Sequence, residues 1–80
     1  MIDITNVNKI YLFSESIDFR YGIIGLSALI TSKFSNTQVE YNSLYLFINE
    51  KRNQVKIIEF DKTGIWLYTK RLKDGKFMYP

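Results

Sequence analysis

Neither cysteine nor histidine occurs in this chain of 80 residues. The first absence excludes a disulfide framework and any thiolate metal site. The second removes the commonest general base and the commonest neutral metal ligand. No apolar run approaches the roughly 20 residues that a membrane-spanning helix needs. The opening stretch, MIDITNVNKIYLF, has neither the basic n-region nor the long apolar h-region of a secretory signal. Repeats, low-complexity tracts and linkers are also missing. These features predict one cytoplasmic domain over residues 1–80, with no membrane partner.

What the chain does have is aromatic and basic. Hydrophobic residues make up 46% and aromatic residues 16%. A chain this short buries only about two-thirds of its unfolded surface, so aromatics, at roughly 150–250 Å² each, must supply much of a thin core. Charge is uneven. Residues 1–50 hold three cations and five anions, whereas residues 51–80 hold eight cations and three anions. A basic half of this kind favours polyanionic partners through counterion release.

The run KIYLF at 9–13 reads as a strand. Further on, Ile23, Leu26, Ile30 and Phe34 fall at helical spacing, which predicts one helix over about residues 19–34. Ser16 and Asp18 are candidate caps for it. Gly22 and Gly25 lie one turn apart and suggest a helix face packed closely on a sheet. From Ser43 the period changes to two: SLYLFI, VKIIEF and IWLYTKRL are strand-like, separated by NEKRNQ and DKTG. Gly64 is a candidate for positive φ in the second turn. A turn at Lys73–Asp74–Gly75 precedes KFMY, a possible fifth strand. The predicted fold is α+β: an antiparallel β-meander of four to five strands with the helix on one face. Ile23, Leu26, Leu29, Ile30, Ile57 and Leu67 are the expected core. Both faces of the meander carry apolar residues, so one of them is expected to meet a partner. The open edges of the sheet make a homodimer through edge pairing a further expectation.

The candidate nucleic-acid-binding residues are Arg20, Lys51, Arg52, Lys56, Trp66, Tyr68, Lys70, Arg71, Lys73 and Lys76. Trp66, Tyr68 and Lys70 alternate onto one face and match the stacking-plus-cation surfaces that hold single strands. The competing reading makes both aromatics core and leaves Lys70 snorkelling. Lys56, Lys73 and Lys76 are expected on that same face. Lys51, Arg52 and Lys56 lie on or near a hairpin tip, where a β-ribbon would enter a groove. Arg20 is either a phosphate contact or the ion-pair partner of Asp18, the latter being favoured because Asp18 would repel phosphate. No spacing among Asp18, Glu59, Asp61 and Asp74 suggests a two-metal carboxylate site. Asp61 is read as a turn former. No catalytic residue, metal or cofactor is expected.

Three segments carry a resemblance to a known family. They are Asp18-x-Arg20-x-Gly22-x-x-Gly25-Leu26, then Asp61-x-x-Gly64, then Lys70-Arg71-Leu72-x-x-Gly75-x-Phe77-x-x-Pro80. Together they resemble the accessory protein TnpB, the second open reading frame protein of the bacterial insertion-sequence family numbered sixty-six. That family is distinct from the RNA-guided nuclease of the same name. The chain departs from the pattern at Ser16-Ile17, in place of Pro-Thr, and at Tyr21, in place of a basic residue. Glu59-Phe60 also stands where aromatics are common. The chain ends at Pro80, where members of the family usually continue. The resemblance implies a non-enzymatic accessory factor in transposition that binds DNA at element ends together with the transposase. The alternatives are a module that binds the transposase without touching DNA, or a truncated, inactive remnant.

Overall fold

The computed structural model describes residues 7–13, 17–34 and 40–78. Its elements are β1 (Ile10–Phe13), α1 (Ile23–Lys33), β2 (Leu44–Ile48), β3 (Gln54–Phe60) and β4 (Ile65–Arg71). The strands form one sheet in the order β1-β2-β3-β4, with α1 packed on one face. The α+β class is therefore as expected, and β2, β3 and β4 form the antiparallel meander. One pairing differs. β1 runs parallel to β2, with Ile10 opposite Leu44 and Phe13 opposite Phe47, so the sheet is mixed. Parallel neighbours need a crossover connection, and α1 is that crossover. The stretch KFMY does not add a fifth strand: residues 76–78 are irregular, and Tyr79 lies outside the described residues.

The helix begins later than its apolar period suggests. Residues 19–20 form a turn in which Tyr21 N–H donates to the Asp18 carbonyl at 3.0 Å. Arg20 N–H donates to Asp18 Oδ1 at 2.9 Å. Asp18 thus closes a turn upstream of the helix, and Gly22 occupies the N-cap with no side-chain hydrogen bond. Ser16, the other expected cap, lies outside the described residues. Lys56 braces this turn from the sheet. Its Nζ donates to the carbonyls of Phe19 at 2.6 Å and Tyr21 at 2.8 Å. Those oxygens would otherwise accept from Ile23 and Gly25 in a helix starting at Phe19.

The core lies between α1 and the face bearing Phe13, Tyr45, Phe47, Ile58 and Phe60, with Leu26 and Ile30 supplied by the helix. Aromatic rings interlock there. Tyr45 stacks on Tyr11 at 5.1 Å and meets Phe60 edge-on at 5.7 Å; Phe13 lies 4.7 Å from Phe47. Of the expected core, Leu26 and Ile30 are fully buried, while Leu29, Ile57 and Leu67 are half-buried. Ile23 is exposed, since it opens the helix, and Ile57 points to the other face of the sheet. Gly25 does not lie against the sheet. A Cβ built there would meet Tyr21 Cγ at 3.1 Å, so Gly25 makes room for the Tyr21 ring.

Both hairpins are shaped by carboxamide or carboxylate oxygens. Asn49 Oδ1 accepts from the N–H groups of Asn53 and Gln54, both at 2.9 Å. Asp61 Oδ1 accepts from the N–H groups of Thr63 and Gly64, both at 2.8 Å. Gly64 is not in the left-handed region, contrary to expectation; among the described residues that conformation belongs to Asn42, Arg52 and Gly75. The Asp61 carboxylate sets the second turn instead, as its reading as a turn former requires.

Candidate nucleic-acid interface

The register divides the candidate residues between the two faces of the sheet. Trp66, Tyr68 and Lys70 share the face away from α1, where they oppose Glu59, Ile57 and Val55. Lys56 opposes Thr69 and points to the helix side. There its ammonium serves the Phe19 and Tyr21 carbonyls and sits 5.1 Å above the Phe19 ring. The expectation that Lys56 shares a face with Trp66 and Tyr68 is therefore corrected. Ile57 is the residue opposite Tyr68, and Lys56, its strand neighbour, must face the other way. Arg71 also turns to the helix side, opposite Gln54. With the Gln54 amide oxygen facing the guanidinium, it accepts from Arg71 Nη2 and Nε at 3.0 and 2.9 Å.

Trp66 and Tyr68 are neither core nor loose surface. Their rings stack at 6.0 Å with 12° between planes, and Trp66 is 44% exposed. Each is held by a carboxylate. The Trp66 indole N–H donates to Asp61 Oδ2 at 2.7 Å, and the Tyr68 hydroxyl donates to Glu59 Oε1 at 2.8 Å. The indole bond, with those from Thr63 and Gly64, lowers the Asp61 carboxyl to about 2. Glu59 is buried under this pair. Neither carboxylate clamp is among the expectations from sequence. The Asp61–Trp66 spacing is visible there, but the Glu59–Tyr68 bond depends on the β3–β4 register.

Other cations gather at one end of the sheet. Leu72 N–H donates to the Asn53 carbonyl at 2.8 Å, and Phe77 N–H donates to the Arg52 carbonyl at 2.7 Å. The segment between these anchors contains Lys73 and Lys76, so both lie beside the β2–β3 hairpin that carries Lys51 and Arg52. Lys70 and Arg71 lead into the same end. Arg52 holds φ at 60°, a conformation that costs a non-glycine residue roughly 1 kcal/mol. Arg20 stands apart from this group and is bound to Asp18, with Nη2 2.7 Å from Oδ2 and Nε 3.0 Å from Oδ1. The Arg20 side chain, followed by its backbone N–H, lowers the Asp18 carboxyl to about 2. The ion-pair reading of Arg20 accounts for its geometry.

Comparison with known proteins gives the family of the chain. The chain belongs to the IS66 Orf2-like family: the family model described as "IS66 Orf2 like protein" matches residues 8–80. This bears out the resemblance carried by its motifs. It is 31% identical over 72 residues to "Uncharacterized protein y4jC" of Sinorhizobium fredii, an alignment covering 90% of this chain and 61% of the relative. The chain thus spans less than two-thirds of that relative's length. No solved structure matches it.

Proposed function

We propose that the protein is a non-enzymatic accessory factor in transposition that contacts DNA through the basic end of its sheet, alongside the transposase of the same element. The observation that carries this reading is the return of the chain onto the hairpin, which collects Lys51, Arg52, Lys73 and Lys76 next to Lys70 and Arg71. Clustered cations neutralise neighbouring phosphates and release their counterions. A hairpin tip has the dimensions to approach a major groove. Trp66 and Tyr68, stacked and half-exposed beside Lys70, add a platform on which an unpaired base could stack.

The test is a mobility-shift titration on the element's terminal repeats, with and without transposase, across a salt series. Affinity is expected to fall steeply with salt, with a log–log slope near −0.9 per duplex phosphate neutralised. Absence of binding at low salt in both conditions would reject the DNA role. A second reading has its own observation. Ile10 and Trp66 are exposed on the face away from α1, beside half-buried Leu12, Leu46, Ile48 and Ile57. An apolar surface of this kind suits contact with the transposase itself. Binding to transposase that persists unchanged at high salt, without DNA binding, would favour it.

A further inference from the structure

The outer edge of β4 has a self-complementary pattern. β4 ends the sheet order, and among the described residues no strand lies beyond it. Two bonds fix the phase of the β3–β4 ladder: Leu72 N–H to the Asn53 carbonyl, and Asp61 N–H to the Gly64 carbonyl. Hydrogen-bonded pairs alternate along an antiparallel ladder, so Trp66, Tyr68 and Lys70 turn their backbone groups inward to β3. Ile65, Leu67, Thr69 and Arg71 therefore turn their N–H and C=O groups outward.

We infer that two copies of the chain pair antiparallel through β4, with the two-fold axis at Tyr68, to form one continuous eight-stranded sheet. In this register Ile65 meets the second copy's Arg71, and Leu67 meets its Thr69. All four outward-facing residues then find backbone partners. Shifting the pairing by two residues in either direction leaves one end of the strand unmatched. The same register places Trp66 opposite the second copy's Lys70 in a non-hydrogen-bonded pair, where side chains approach more closely. The indole is already fixed by Asp61 and stacked on Tyr68, so an ammonium can settle over it without ordering the ring. The two ends of β4 are complementary: Asp61 and Trp66 flank one, while Lys70 and Arg71 occupy the other. That charge pattern selects the antiparallel arrangement over the parallel one. The inference concerns the strand edge and does not depend on DNA binding.

Because the chain has no cysteine, single-cysteine variants read the register directly. In the inferred dimer Tyr68→Cys places two thiols across a non-hydrogen-bonded pair with Cα atoms about 4.5 Å apart, within disulfide range. Mild oxidation is expected to cross-link Tyr68→Cys and to leave Leu67→Cys and Thr69→Cys largely monomeric. Preferential cross-linking at position 67 or 69 would overturn the register. Sedimentation of the unmodified protein without DNA, from roughly 10 μM to 1 mM, is expected to show a concentration-dependent dimer. A monomer throughout that range would overturn the dimer. Thr69→Pro removes an outward N–H and spares the ladder to β3; with folding checked by circular dichroism, it should raise the dimer dissociation constant at least about tenfold. A folded Thr69→Pro protein that still dimerises as tightly would overturn the use of this edge.

Discussion

Trp66 donates its indole N–H to the Asp61 carboxylate at 2.7 Å, which ties the ring of a β4 residue to the turn that starts the strand. This bond is the first cause of the low Asp61 carboxyl, ahead of the backbone N–H of Thr63. Trp66→Phe keeps an aromatic ring beside Tyr68 and deletes the donor. The Asp61 carboxyl is then expected to rise from about 2 towards its ordinary range, as read by carbon-detected titration of the side chain. An unchanged value would show that the turn N–H groups alone hold it down.

Acid should weaken the fold in a defined window. Asp18 and Asp61 both lie at about 2 when folded, against an ordinary value of 3.8. Depressed carboxyls contribute stability that is full above the unfolded value and lost as pH falls through the folded one. Melting temperature should therefore fall from about pH 4 to pH 2, and Asp61→Asn should flatten part of that fall. Equal slopes for the variant and the parent would exclude Asp61 as a contributor.

Lys56 separates structural from binding cations. Its two carbonyl bonds hold the 19–21 turn on the sheet, so Lys56→Met should cost about 1–3 kcal/mol of stability by chemical denaturation. Lys73→Ala combined with Lys76→Ala should instead leave stability within about 0.5 kcal/mol. The same pair should lower the DNA salt slope by about 0.9 for each phosphate no longer neutralised. A double variant that binds DNA with the parent's slope would remove these lysines from the interface.

Arg52 is expected to trade stability against binding. Arg52→Gly relieves the positive φ, a gain of roughly 0.5–1 kcal/mol partly offset by greater unfolded-chain entropy. The substitution also removes a hairpin cation and the interactions of its side chain, so DNA affinity should drop, and the change in melting temperature reads the φ gain against those interactions. A loss of both would mean that the side chain has a structural role at the hairpin.

Gly25 and Tyr21 should couple. Gly25→Ala alone crowds the Tyr21 ring, with the new Cβ only 3.1 Å from Cγ. In a Tyr21→Ala background the same change should yield close to the full helix-propensity gain of about 1 kcal/mol. A smaller gain in the parent than in that background, measured as a double-mutant cycle, is the expected result. Additive effects would place the ring elsewhere in solution.

Much of the architecture can be read from periodicity, and the places where reading fails share a physical cause. β2, β3 and β4 announce themselves by alternation and turn chemistry, and Leu26 and Ile30 by helical spacing. Which face of the meander meets the helix is not legible. Ile57 and Ile58 are adjacent, equally apolar and opposite in facing, and only the pairing register buries Ile58 in the core. The helix start is hidden because the 19–21 turn ahead of it is held by Asp18 and by a lysine 37 residues from Phe19. The basic end is legible in part, since Lys51, Arg52, Lys73 and Lys76 stand out from charge alone. Their convergence depends on two backbone hydrogen bonds that no local pattern encodes.

The parallel placement of β1 has a consequence for how the chain is assembled. The strands of the meander can close by short turns as soon as they leave the ribosome, each next to its sequence neighbour. β1 is made first, yet its partner β2 follows only after the whole helical crossover has been synthesised. Closing that long loop carries an entropic cost before any pairing offsets it. Hairpin formation around β3 is therefore expected to precede the docking of β1 with α1. That second unit, joined through a four-residue edge strand, should also be the first to open, and amide exchange would be expected to rank β1 below β3 in protection.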